Sequence, residues 1–333
     1  LNIPEDYGGF GASALLFSRV FGQVGETDAA LAVYFGAHQS IGCKGITLFG
    51  TDEQKKRWLP QCASGERIAA FCLTESGSGS DAQAMRTMAV PSEDGTHYVL
   101  NGEKIWISNA GYAGVFTVFA KVPVEVDGKP KQRVTAFIVD AHAPGVSLGQ
   151  IEEKMGIKAS DTRSVSFKDV RVPVEDRLGE VGGGFKIALE ILNSGRLGLA
   201  AGSSRGARRI MDLALVYAKE RKQFGVPVGQ FQGVKHQLAD LAVKVAPACA
   251  LYWYAAHALD LDLPDASVAA AQAKAHCSEL YVDAARKAIE LHGGIGYTWE
   301  YGLHIWLRRS LHDRQFLGAP RKHRARIADL KGW

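Results

Sequence analysis

Apolar positions follow three successive rhythms along this chain. Up to about residue 70 the rhythm is helical: Lys55 to Leu59 follows Thr51-Asp-Glu-Gln, with Thr51 placed as an N-cap and Gln54 at the reciprocal position of a capping box. From Arg67 to about Arg177 short β-branched and aromatic runs take over: Tyr98-Val-Leu, Lys104-Ile-Trp-Ile, Val115-Phe-Thr-Val-Phe, Val134-Thr-Ala-Phe-Ile-Val and Ser164-Val-Ser-Phe. Asn101-Gly102 separates two of these runs and predicts a two-residue hairpin turn, because such a turn needs positive φ at both central residues. From Gly184 the helical period returns. Val268, Ala271, Ala275, Ser278, Val282, Ala285 and Ile289 form one stripe, with Asp265 as N-cap and Gly293-Gly294 as the stop.

Helices, then strands, then helices predict an α+β architecture rather than alternating βαβ units. The expected divisions are an N-terminal helical part over 1–69, a middle antiparallel β-domain over 70–178, and a C-terminal helical bundle with a basic tail over 179–333. A length of 333 residues suits two or three domains. The most apolar run, Val245 to Ala256, contains Pro247 and stops at His257, short of the roughly 20 residues a membrane span needs. Five cysteines, odd in number and without a CxxC pair, argue against a disulfide framework or zinc ribbon and for a reducing compartment. The chain opens at Leu1 with no basic and apolar leader, so no signal peptide is read. No metal site is expected.

Charge changes the picture only at the end. The net charge of +4 does not indicate a nucleic-acid binder. From His304 to Trp333, however, eight Lys/Arg face only Asp313 and Asp329, and the preceding residues are left at −2. Arg321-Lys-His-Arg-Ala-Arg reads as a solvated helix end or as an anion contact within an oligomer, and a nucleic-acid or membrane role for it would rest on charge alone.

Neither GxGxxG before a helix nor GxxxxGK[ST] occurs, which disfavours a Rossmann enzyme and a P-loop NTPase. Four other segments carry candidate chemistry. Phe71-Cys-Leu-Thr-Glu-Ser-Gly-Ser-Gly-Ser-Asp81 leads from an apolar strand into a glycine- and serine-rich turn whose N–H groups and hydroxyls could bind an anion or a heterocycle edge, although alone it reads as an ordinary polar loop. In Lys104-Ile-Trp-Ile-Ser-Asn-Ala-Gly the tryptophan and the serine two residues later share one strand face, an aromatic plate beside a hydroxyl, unless the tryptophan is simply core. Arg221-Lys-Gln-Phe-Gly225 and Glu290-Leu-His-Gly-Gly-Ile-Gly296 each read, alone, as a helix end with a glycine stop.

In this order the four segments resemble the acyl-CoA dehydrogenase family. The resemblance runs from about Leu1 to Gly318 and includes Ile3-Pro-Glu-Asp-Tyr-Gly-Gly and Lys154-Met-Gly-Ile-Lys; Gly36-Ala-His-Gln-Ser-Ile-Gly42 and Asn193-Ser-Gly-Arg196 are similar to the very-long-chain branch. It implies an N-terminal helical domain, shortened here, a β-domain and a four-helix bundle. It further implies FAD as cofactor, an acyl-CoA as substrate, an electron-transfer flavoprotein as redox partner, a homo- or hetero-oligomer (a dimer of dimers), and a bacterial cytoplasmic or mitochondrial matrix location.

Residue by residue, the resemblance places Phe71, Leu73, Thr74, Gly79 and Ser80 at the flavin and the start of the acyl-CoA, and Trp106, Ile107 and Ser108 beside the isoalloxazine. It places Arg221, Gln223, Phe224, Phe231 and Gln232, with Glu290, Gly293 and Gly294, at the FAD of a neighbouring subunit. Asn193, Arg196, Ser80 and Gly318 fall near the CoA ester. Glu290 stands where the family more often has glutamine, and its charge would repel a pyrophosphate unless paired. Small Gly36 and Ala37 are permissive of a long acyl chain.

Catalysis is where the chain departs from the family. Removing an α-proton needs a carboxylate base, and the two positions that carry it in relatives are Leu317 and Gly195 here. Asp313, one helical turn before Leu317, is a weak substitute whose alternative is a surface aspartate paired with Arg309 or Arg314. Glu300 is weaker still and could instead cap the following helix. The remaining explanations are a base carried by a partner subunit, or a non-catalytic flavin- and CoA-binding subunit.

Overall fold

The three rhythms fold as three runs of elements in a computed structural model that describes residues 1–126 and 128–333. Helices α1 (Ala14–Thr27) and α2 (Ala29–Gly36), a π-helical turn (Ala37–Gly42), α3 (Lys44–Phe49) and α4 (Asp52–Ser64) come first. Strands β1 (Ile68–Cys72), β2 (Met88–Pro91), β3 (His97–Ser108), β4 (Ala113–Val126), β5 (Lys129–Asp140), β6 (Val146–Leu148), β7 (Thr162–Pro173) and β8 (Arg177–Leu178) follow. Then come α5 (Gly184–Glu220), a ribbon of β9 (Lys222–Gln223) and β10 (Val226–Pro227), and helices α6 (Gln232–Asp260), α7 (Ala266–His292), α8 (Leu303–Gln315) and α9 (Pro320–Lys331). By contacts the residues form two compact units: Leu1–Ala12, Val33–Glu153 and Lys158–Ser194 in the first, Ser13–Ala32, Lys154–Ile157 and Gly195–Trp333 in the second.

In the first unit, α4 starts on the expected capping box: Thr51 Oγ1 accepts from the Gln54 N–H, and Gln54 Oε1 accepts from the Thr51 N–H. The sheet runs in the order β6-β7-β3-β2-β4-β5-β8, with β1 alongside β4. Pairing is antiparallel except where β1 and the start of β2 meet β4. The unbroken apolar runs of β4 and β5 have a physical reason: both strands are buried on two faces. Phe116, Val118, Phe137 and Val139 point into one core, Val115, Phe119, Ala136 and Ile138 into another with Trp58, Leu59 and Ile46.

Asn101-Gly102 is not a turn. The two flanking runs are a single strand, β3, and its register against β7 slips between Leu100 and Gly102. Gly102 has φ of 150°, and a Cβ there would lie 2.5 Å from Thr87 Oγ1. The glycine thus serves a bulge and a close backbone approach, a use that the dipeptide shares with hairpins.

The second unit is built on alanines. Ala200, Ala207, Ala214, Ala255, Ala273, Ala284 and Ala288 are all buried, and they let α5, α6 and α7 pack closely around Tyr252 and Tyr281. A Cβ on Gly206 would stand 2.6 Å from the Tyr281 ring, so only glycine fits that crossing. Helix α7 begins and ends where its stripe requires, between Asp265 and Gly293, although the Asp265 carboxylate accepts from the Tyr254 hydroxyl at 2.7 Å instead of capping. Pro247 lies inside α6, and among the described residues no helix is long and apolar enough to cross a membrane.

Candidate functional site

In the first unit, β1 delivers Phe71 into the 71–81 loop. Phe71, Leu73 and Thr74 are half-buried, Gly79 and Ser80 exposed, and Glu75 and Ser78 close a tight turn through reciprocal backbone bonds of 3.0 and 3.1 Å. The Ile105 N–H donates to Thr74 O at 2.9 Å, which ties this loop to β3 next to the expected plate. Trp106 is 62% exposed and has φ of 57°, while Ile107 is buried and Ser108 half-buried. A core tryptophan is therefore excluded. The regular strand expected here is also corrected: the register breaks between Lys104 and Ile107, and Trp106 occupies a left-handed conformation that costs about 1–3 kcal/mol for a bulky side chain.

Sequence reasoning missed what lies beneath. Lys104 is wholly buried, and its Nζ donates to Glu75 Oε1 at 2.7 Å and to Leu73 O at 3.2 Å. Burial pushes the Glu75 carboxyl up, but bonds from Lys104, Thr87 and the Arg86 N–H outweigh it and hold the group below its ordinary value. Lys104 and Glu75 are 29 residues apart, so no local pattern signals the pair.

In the second unit, Arg221, Gln223, Glu290, Gly293 and Gly294 line one pocket of about 630 Å³, together with Tyr217 and His292. Beyond its own chain neighbours, no described atom lies within 4 Å of where a Cβ on Gly293 or Gly294 would stand, so both glycines leave room for a ligand against the backbone. Phe224 is 93% exposed at φ of 51°, edge-on to Phe231, and Gln232 opens α6 beside them on the surface. The Glu290 carboxylate is paired: Lys287 Nζ lies 2.7 Å from its Oε2 and also donates to Gln237 Oε1. That neutralises the charge that would otherwise repel a phosphate.

The second unit also holds the segment where a base is expected. Leu317 is half-buried at φ of 57°, and Gly195 is buried within α5. Arg196 Nε donates to Leu317 O at 3.3 Å, and Lys274 Nζ donates to Gly318 O at 2.6 Å and Arg314 O at 2.9 Å. His323 Nε2 contacts Leu317 O at 3.2 Å, which makes Nε2 the protonated nitrogen and leaves the buried Nδ1 as a lone pair. Asn193 is half-buried at the end of the first unit. Asp313 is not on the surface but 1% exposed, and Arg309 Nε lies 2.8 and 2.9 Å from its two oxygens. The pairing with Arg309 is as expected, and it occupies the carboxylate. Glu300 is exposed and caps nothing, since α8 starts on Gly302 in a left-handed conformation without a side-chain cap.

His323 supports a pH prediction. Burial first, then the cations of Lys274 and Arg196, push its imidazole down to about 4. An unfolded chain takes up that proton below its ordinary value of about 6.5, so stability is fully present above it and is lost as pH falls toward 4. Thermal midpoints should therefore decline across this window more steeply in the unmodified chain than in His323→Gln; equal slopes would remove His323 from the account.

Three family models match in order: acyl-CoA dehydrogenase N-terminal domain over 1–66, middle domain over 70–170 and C-terminal domain over 182–330. The very long-chain specific acyl-CoA dehydrogenase of Bos taurus is 45% identical over 310 residues, 92% of this chain and 47% of that protein. The chain thus spans about half the length of the curated relatives it matches first. Butyryl-CoA dehydrogenase from Megasphaera elsdenii superposes with a TM-score of 0.92 at 34% identity, covering 100% of this chain and 86% of the other. An acyl-CoA dehydrogenase from Bacillus anthracis, solved in complex with FAD, gives 0.89 at 36% identity over 99% of this chain and 59% of its own.

Proposed function

The chain belongs to the acyl-CoA dehydrogenase family, and from that premise we propose that it binds FAD and takes part in the α,β-dehydrogenation of a medium- to long-chain acyl-CoA to its trans-2-enoyl-CoA, with an electron-transfer flavoprotein as the oxidant. The observation that carries this reading is the exposed Trp106, held in a strained conformation beside the polar 71–81 loop with no other visible task. The chain's residues fit the cofactor on a second count, the open glycine cradle of Gly293 and Gly294 flanked by Arg221 and a neutralised Glu290. Trp106 and Ser108 would hold the isoalloxazine, and Arg221, Gln223 and Gly293-Gly294 would hold the phosphate and adenosine part of a neighbouring copy's FAD. Bound FAD would supply the hydride acceptor for the substrate's β-hydrogen. Arg196 and Asn193 would receive the CoA ester. Relatives come from mitochondria and from bacteria, in keeping with a matrix or bacterial cytoplasmic location.

A second reading has its own support. With leucine at 317, glycine at 195 and Asp313 bound by Arg309, none of these three positions offers a free carboxylate, which favours a flavin- and CoA-binding subunit whose partner carries it. Anaerobic titration of the FAD-loaded chain with acyl-CoAs of increasing length separates the two. Bleaching of the flavin band supports dehydrogenation; a shifted band without bleaching supports the subunit; failure to take up FAD sinks both.

Stacking on an aromatic plate is worth about 1–3 kcal/mol by analogy with nucleobases. Trp106→Ala should accordingly weaken FAD binding about 5- to 150-fold. Trp253→Ala, whose ring lies under Arg19, and Trp58→Ala, whose buried indole N–H donates to Asp176, should leave affinity nearly unchanged in folded protein. Equal losses in all three would reduce Trp106 to an ordinary surface aromatic.

A further inference from the structure

We propose that the buried Glu75–Lys104 pair is a positioning device: it fixes the Leu73–Ser80 loop against Trp106–Ser108 and thereby sets the affinity and the rigidity of the bound flavin. The inference rests on the FAD reading above and concerns residues to which no role in that reading has been given.

Lys104 is 0% exposed and Glu75 7%. The lysine reaches the loop at two points, Glu75 Oε1 and Leu73 O, and the next residue adds the backbone bond from Ile105 to Thr74 O. Glu75 in turn accepts from the Arg86 and Thr87 N–H groups and from Thr87 Oγ1 at 2.6 Å, so the loop is anchored to the start of β2 as well. Every one of these bonds falls within two residues of Trp106 or of Leu73 and Thr74, except the anchor at 86–87.

Stability alone does not explain such a pair. Taking two charges out of water costs about as much as their attraction returns, and well-packed apolar residues of similar volume often serve equally well. What an ion pair adds here is direction. Trp106 needs a left-handed backbone and a broken register to face outward, and one residue of slip would carry its ring to the opposite face of the sheet. Lys104, clamped from two sides immediately before the break, removes that freedom. The same clamp fixes the carbonyls of Leu73 and Thr74, which point toward β3 and not into the loop's open face.

The test uses Glu75→Gln with Lys104→Met in one chain. The amide oxygen keeps an acceptor for the Thr87 N–H and hydroxyl, the Arg86 N–H gives up its carboxylate partner at an exposed residue, and no unpaired charge is left buried. The expected result is a thermal midpoint close to that of the unmodified apo chain, FAD binding weaker by about ten-fold or more, and a loss of the induced visible circular dichroism of the residual bound flavin. A folded double variant with unchanged affinity and unchanged dichroism overturns the inference and leaves the FAD reading intact. An unmodified chain that takes up no FAD overturns the reading and the inference together. If the double variant fails to fold, hydrogen exchange on the unmodified chain decides: FAD should slow exchange in 73–80 and 104–108 together, and protection of only one segment overturns the coupling.

Discussion

Leu317→Glu should raise the rate of flavin reduction by acyl-CoA by about 10² to 10⁴, the ordinary contribution of a positioned general base. The site is prepared for the change. Leu317 is half-buried, so a side chain of similar length already has room, and its backbone is held by bonds from Arg196 and His323 while Lys274 holds Gly318. The cations of Arg196 and Lys274, bonded to the carbonyls of Leu317 and Gly318, would keep a new carboxylate ionised and ready to accept a proton. Gly195→Glu is the harder route, because Gly195 is buried inside α5. The measurement is anaerobic stopped-flow reduction of the FAD-loaded protein at saturating acyl-CoA. If the unmodified chain is already fast, Asp313→Asn is the next variant, and a fast Asp313→Asn protein would place the base elsewhere. The contact with Arg309 predicts that outcome for Asp313 in either case, since a buried carboxylate held on both oxygens by a guanidinium is not free to turn toward a substrate.

Much of the scaffold was legible in the sequence wherever the deciding interaction is local. The capping box at Thr51 spans three residues, and α7 is bounded by Asp265 and Gly293 because its stripe and its glycine stop lie within one helix. The two-faced burial of β4 and β5 shows as runs without alternation. Legibility failed where one local pattern serves two structures. Asn101-Gly102 suits a hairpin and a bulge equally, and the choice is made by Thr87, which belongs to another strand region. Asp313 was read as a surface residue because Arg309 one turn earlier forms the same i,i+4 pair on solvated helices; only packing around α8 shows that both are buried. The spacing of Trp106 to Ser108 left an outward plate and a core residue both open, its left-handed backbone was not legible, and the Glu75–Lys104 clamp left no local trace at all. Motifs could thus name the residues proposed to face the ligands, whereas the buried groups that hold their backbone in place could not be named from them.

Arg221→Ala should release FAD and weaken subunit assembly together. Arg221, exposed at the end of α5, shares its pocket with Gly293 and Gly294, and this pocket is expected to close over the cofactor of a neighbouring copy. A ligand that bridges two copies stabilises the assembly in proportion to its own binding, so loss of a charged contact must appear in both. A hydrogen bond to a charged group is worth about 1.5–3 kcal/mol, which corresponds to about 10- to 150-fold in FAD affinity. Arg208→Ala is the control: Arg208 lies on the same helix but pairs with Asp212 at the surface, and its loss should change neither quantity. Lys287→Met adds a graded case, because it removes the pairing of Glu290 while leaving Arg221 in place; the uncovered carboxylate should weaken FAD binding, and added salt should recover part of the loss by screening. Sedimentation at several protein concentrations with and without FAD reads assembly and flavin content in the same experiment. A flavin-saturated monomer of the unmodified chain would show that Arg221 and the glycine cradle serve no neighbouring copy.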